Sequence, residues 1–120
     1  KGPGAGERVD EEFHRAIARA SRNSALLQVV EQLWTIRNRS PQCVRFFEKS
    51  RDKGNSPVIA EHRAIVDALA RHDPHAARAA MRDHLSRVLK TLLDATEIEV
   101  IEEARARVAA QRSRFAVHSS

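Results

Sequence analysis

The stretch AEHRAIVDAL, residues 60–69, places a histidine where a helix would carry an apolar side chain. At 3.6 residues per turn Ile59, His62, Ile65, Val66 and Leu69 share one face, so His62 sits inside an apolar stripe. His84 repeats the pattern, set between Met81 and Leu85/Val88 on the apolar face of its own helix. Asp10 and His14 are four residues apart and project from one side of a first helix, beside its apolar stripe. One carboxylate and three imidazoles, from three helices, thus lean towards a shared interior. That donor set suits a divalent transition metal such as zinc or nickel, and helical bundles build metal sites from facing side chains in this way. The competing reading makes His62 and His84 core histidines bonded to a backbone carbonyl or a serine, with Asp10 a helix cap or a solvated charge. On residue types and spacing alone the two readings stand level. His72 and His75 flank the HDP turn, His118 lies in the tail, and all three are left out of the cluster.

These side chains need elements to carry them, and glycine, proline and capping residues mark those elements out. KGPGAG, within a flexible segment 1–8, opens the chain. A first helix is expected from about Asp10 to Ala20, with Phe13, Ile17 and Ala20 inward. Asn23 or Ser24 caps a second, which carries Leu26, Leu27, Val30, Leu33 and Trp34. Ser40 and Pro41 read as cap and first position of a short third helix through Phe46 and Phe47. After the loop KSRDKGNSP a fourth helix is expected over about Pro57 to Arg71. Asp73 and Pro74 start a fifth, with Ala77, Met81, His84, Leu85, Val88 and Leu92 on one face. Thr96 with Glu99 three residues on reads as a capping box that begins or bends a last helix through Ile98, Ile101, Val108 and Phe115. No strand pattern is found, so the expected class is all-α: an antiparallel bundle of about six helices, forming one domain over residues 9–120.

Composition narrows the function classes. The 120 residues suffice for one domain and one core. There is no run of 18 apolar residues, the opening KGPGAGERVDEEFH shows no apolar stretch of the kind a secretory leader needs, and the single Cys43 excludes an internal disulfide and fits a reducing, cytoplasmic setting. The net charge of +5 raises the question of nucleic acid, but the basic residues are dispersed and interleaved with acids. With four Phe and one Trp, a stacking platform for single strands is not expected.

VDEEFHRAIARASRNSALLQVVEQLW, followed by AEHRAIVDALARHDPHAARAAMRDHL, resembles the FCD effector-binding domain of GntR-type bacterial transcriptional regulators. The family pattern is carried by Asp10, Phe13, His14, Asn23, Glu61, His62, Ile65, Asp73, Ala76, Ala77, Met81, His84 and Leu85, and it covers roughly residues 9–93. The resemblance implies a divalent metal held by Asp10, His14, His62 and His84, zinc first, with nickel or manganese as alternatives. It also implies a small carboxylate effector, a homodimer and no enzymatic activity. DNA would be bound only through a winged helix that is not read in this sequence, and on this resemblance the chain is expected to begin part-way into the domain, without its first helices. Arg37, one turn beyond Leu33 and Trp34, is the candidate effector-binding residue if it turns inward; a surface position is the slightly preferred reading. Glu61 is expected on the flank of its helix, at best a partner of a metal ligand and more readily a surface charge. Asn23 is read as a cap.

Two other functions compete. A metal-dependent hydrolase would need a general base and a substrate cleft, and no H-E-x-x-H or comparable spacing supplies one. A purely structural interaction bundle would hold no stoichiometric ion.

Overall fold

The computed structural model describes residues 4–118. Five helices follow one another: α1 (Ala5–Ala20), α2 (Ser24–Arg39), α3 (Pro41–Asp52), α4 (Ile59–Ala70) and α5 (Pro74–His118), with no strand among the described residues. The all-α expectation holds, with five helices in place of about six.

Each start has a local cause. α1 begins at Ala5, ahead of the expected Asp10, so residues 5–8 of the segment expected to be flexible are helical. Gly4 is its cap, and the Gly4 N–H donates to Glu7 Oε2 at 2.9 Å. Asn23 caps α2 by accepting the Leu26 N–H at 3.1 Å. Pro41 opens α3 as its first residue, although the Ser40 side chain bonds Gln42 rather than the backbone. α4 starts at Ile59, two residues later than expected, because Pro57 and Val58 are still extended or irregular. Asp73 caps α5 through the Ala76 N–H at 3.0 Å.

The expected break at Thr96 does not occur. Thr96 Oγ1 donates to the Leu92 carbonyl at 2.9 Å, the back-bond of a mid-helix threonine, so it caps nothing. Glu99 pairs instead with Lys49, and Lys53 reaches Glu102 at 3.6 Å, which fastens α3 along α5. α5 therefore runs unbroken for 45 residues, about 67 Å at 1.5 Å per residue. From Arg105 to Ala116 every side chain is exposed, so its last turns extend beyond the bundle.

Short turns at Ser21–Asn23 and Arg71–Asp73 fold α1 against α2 and α4 against α5. The chain turns at Arg22 and His72 with φ of 56° and 55°, the left-handed conformation that ends both helices. The fully enclosed apolar core is small: Ala18, Ile65, Ala68 and Ala95. Ala20, expected inside, is exposed, as are Ile59, Val66 and Leu69 of the α4 stripe. Leu26 and Leu33 of α2 and Leu85 of α5 are likewise exposed, because α2 and α5 do not close on each other. A cavity takes the place of that contact.

Candidate functional site

The apolar stripe of α4 hands His62 to α1, and the ring meets Asp10. His62 Nε2 lies 2.7 Å from Asp10 Oδ1, while Nδ1 lies 2.9 Å from the Val58 carbonyl one turn back. His14, one turn after Asp10 on α1, places Nε2 at 3.3 Å from the same Oδ1. His84, only 3% exposed, arrives from α5 with Nε2 at 3.3 Å from His14 Nε2. Four candidate donor atoms, one from each of Asp10, His14, His62 and His84, lie within 4.8 Å of one another. Phe13 closes the side of this cluster with its ring edge-on to His62 at 4.8 Å and to His14 at 5.4 Å.

The hydrogen-bond roles give the cluster its chemistry. A backbone carbonyl only accepts, so His62 Nδ1 donates to Val58, and Nε2 is the ring atom that meets the Asp10 carboxylate, through a proton or through a cation that replaces it. His84 Nδ1 faces Glu61 Oε2 at 3.4 Å, another acceptor, which likewise leaves the His84 Nε2 lone pair pointing inward. The inward-facing Nε2 atoms of His14, His62 and His84 therefore crowd one another and the Asp10 carboxylate, an arrangement that needs a cation or protons between them. Burial pushes the His84 pKa below its ordinary value, and neighbouring His62 and His14 push it further, against the pull of Glu61. Burial alone would raise the Asp10 pKa, but its bonds to and charge attraction with His14 and His62 outweigh this and bring it below the usual range. Protons on His84 are thus disfavoured, whereas a divalent ion fits the donor set of one carboxylate and three nitrogens.

Glu61 corrects the expectation of a surface charge. It is held by the Arg87 guanidinium, with Nε at 2.6 Å from Oε2, and the same oxygen faces His84 Nδ1. Glu61 thus stands behind the His84 ring, where a carboxylate limits how the imidazole can turn. Arg37 also departs from the slightly preferred surface reading. Its guanidinium lies over the Phe47 ring at 3.8 Å and the Trp34 ring at 4.5 Å, and it stands 3.9 Å from both Asp10 Oδ2 and Glu7 Oε1. Those distances are within ion-pairing range and beyond hydrogen-bonding range, so the edge of the guanidinium keeps its donors for a further partner. His72 and His75 are exposed and remote from the cluster, as expected, and the His118 side chain lies outside the described residues.

Asp10, His14, His84 and Arg37 line a cavity of about 550 Å³, the size of a small-molecule site. Its middle is apolar, with Ile17, Val30, Leu33, Val88 and Leu92 among its walls. Glu7 and Arg51 also line it, and neither belongs to a motif that the sequence marks out. Glu7 had one usable signal, its position three residues after Gly4 as the acidic partner in a capping box; Arg51 had none.

A helical domain with a half-open pocket and a His/Asp cluster at its wall is the class that fold and site define. The FCD domain profile matches residues 3–87. The chain is 33% identical over 100 residues to the Uxu operon transcriptional regulator of Escherichia coli K12, covering 82% of this chain and 39% of that protein. It is 37% identical over 87 residues to the Exu regulon transcriptional regulator of the same strain, covering 72% of this chain and 34% of that one. The putative L-lactate dehydrogenase operon regulatory protein of E. coli K12 matches at 33% over 90 residues, 75% of this chain and 35% of the regulator. The chain belongs to the FCD family found in GntR-type transcriptional regulators. It spans between a third and two fifths of the length of these relatives. No solved structure matches it. Among the described residues no helix is long and apolar enough to cross a membrane.

Proposed function

We propose that this chain is the effector-sensing part of a transcriptional regulator, in which Asp10, His14, His62 and His84 hold a divalent transition metal and Arg37 grips the carboxylate of a small organic acid. The observation that carries the reading is the convergence of donor atoms: Nε2 of His62 and of His84 are turned inward by acceptors behind them, towards Asp10 and His14. Zinc, nickel and manganese all accept such a set, and zinc is the first choice. When bound, the ion would supply a positive centre, since one Asp and three neutral His leave a divalent ion with a net charge of about +1.

The protein's own groups do the rest. His62 and His84 are kept in one tautomer by Val58 O and Glu61. Arg37 is pre-oriented by two aromatic faces, so little side-chain freedom is lost when it takes a carboxylate. The apolar walls make an acid without a partner unwelcome, which confines the carboxylate to the charged end. Occupation of the cavity would couple α1, α2 and α5, and so shift the placement of DNA-binding domains in the intact regulator. Exposed Leu85, Leu89 and Leu93 along one face of α5 support a homodimer. The similarity to regulators supports a sensing role over the hydrolase alternative. A cytoplasmic location follows from that role.

Calorimetry with short mono-, di- and tricarboxylates on metal-loaded and metal-stripped protein tests the reading. It stands if an acid binds the loaded form alone, and it falls if a neutral sugar binds tightly or an acid binds equally well after stripping.

A further inference from the structure

α5 carries a stripe that the metal cluster and the cavity leave unused. Ile98, Ile101, Val108 and Phe115 alternate with Arg105 and Arg112 at steps of three and four residues, the a and d positions of three heptads. All four apolar side chains are exposed. α3 fastens to α5 along another flank, through Lys49 with Glu99 and Lys53 with Glu102, and leaves this stripe open. Leu85, Leu89 and Leu93 fall on none of its positions, so the two apolar stripes of α5 are distinct. Past Ala104 the helix gains little packing within its own chain, and packing is where helices draw most of their stability. The stripe also lies beyond the residues that the family profile matches.

The charges indicate what covers it. Residues 94–103 hold five acids and no base, whereas residues 105–114 hold four arginines and no acid. In a parallel pair of copies arginine would face arginine and acid would face acid, and like charges oppose that pairing. Turned antiparallel, with Ile98 level with Val108 of a second copy, Asp94 meets Arg112 and Ile101 meets the aliphatic stem of Arg105. Each of these contacts occurs twice, by two-fold symmetry. Asp94 Oδ2 already takes Lys90 Nζ at 2.6 Å, an exposed pair that the arginine of a second copy can join. We propose that residues 94–115 of α5 pair antiparallel with the same segment of a second copy, acid against base, across the Ile98, Ile101 and Val108 stripe. The proposal rests on the homodimer reading and adds to it a second interface with a defined direction and register.

Analytical ultracentrifugation of the whole chain tests it, on wild type, Asp94→Arg, Arg112→Asp and the double variant. The wild type is expected to dimerise, each single substitution to weaken the dimer about tenfold or more, and the double substitution to restore it to within a few-fold. Residues 94 and 112 stand about 27 Å apart along one helix, so the rescue can come only from a second copy. Both side chains are exposed, and circular dichroism should show all four proteins folded alike. Single variants that associate as tightly as the wild type, or a double variant no tighter than the singles, would overturn the pairing and hand the stripe to a different partner. Dimers of that kind that Leu89→Arg abolishes would leave the homodimer standing on the leucine face alone. A wild type that stays monomeric at every concentration would overturn both.

Discussion

Taking the metal away is expected to lower the melting temperature by about 10 °C, and His84→Ala should abolish that effect. The four donor atoms already lie within 4.8 Å of one another, so an ion needs little rearrangement of the fold to be bound. An ion at about one hundred times its dissociation constant, binding only the folded state, adds roughly 2.7 kcal/mol. In a domain of this size a kcal/mol shifts the melting temperature by roughly 3–5 °C, which gives the figure above. His84 is buried at 3% exposure and its Nε2 stands 3.3 Å from His14 Nε2, so no exposed side chain can take its place. The stripped wild type must keep three imidazoles and a carboxylate crowded together, and His84→Ala relieves part of that, which offsets some of the loss of buried packing. The assay is thermal unfolding followed by circular dichroism, with zinc and with a chelator in excess, on wild type, His62→Ala, His84→Ala and His72→Ala. The chelator should shift wild type and His72→Ala alike and leave His62→Ala and His84→Ala within about 2 °C. An equal chelator shift in all four proteins would remove His62 and His84 from the site.

Glu61→Gln should weaken metal affinity by about 10–100-fold without unfolding the chain, because Glu61 fixes the His84 ring from behind; competition titration with a chromophoric chelator measures it. Arg37→Lys should weaken carboxylate binding about tenfold or more while leaving metal affinity unchanged, since an ammonium can neither fork onto a carboxylate nor fill the space between Trp34 and Phe47 in the same way; calorimetry decides. The metal-free chain should lose stability as pH falls through about 6.5, because His84, with its folded pKa lowered, takes up a proton more readily when unfolded. Asp10, also lowered, contributes stability that is present above its unfolded pKa of 3.8 and is lost at more acid pH as its folded pKa is passed. Urea midpoints between pH 8 and pH 3 should therefore fall in two stages, and a flat profile from pH 8 to pH 5 would contradict the assignment of His84.

The sequence disclosed what depends on local periodicity and little of what depends on how helices meet. Asp10, His14, His62 and His84 were legible because each sits on or beside an apolar stripe, and a polar ring there must be explained. Asn23 and Asp73 were legible as caps because capping is a contact within three residues. Thr96 and Glu99 had the spacing of a capping box, yet the threonine bonds backwards and the glutamate is taken by Lys49 of α3. Nothing within the segment reports that competition. Glu61 and Arg37 were misplaced for a related reason: the first is turned inward by Arg87, 26 residues away, and the second by the rings of Trp34 and Phe47. The Glu7–Arg51 pair spans 44 residues between two helices and leaves no pattern in either. Exposed Leu33 and Leu85 show the same limit, since periodicity marks an apolar face without saying whether another helix or a cavity lies opposite.

The most direct test is elemental analysis of protein purified without a histidine tag, alongside Asp10→Asn and His62→Ala. The account predicts about one divalent transition-metal ion per chain in the wild type and a small fraction of that in both variants. Wild-type protein that stays metal-free after incubation with zinc, nickel and manganese in turn, or variants that retain the full complement, would contradict it.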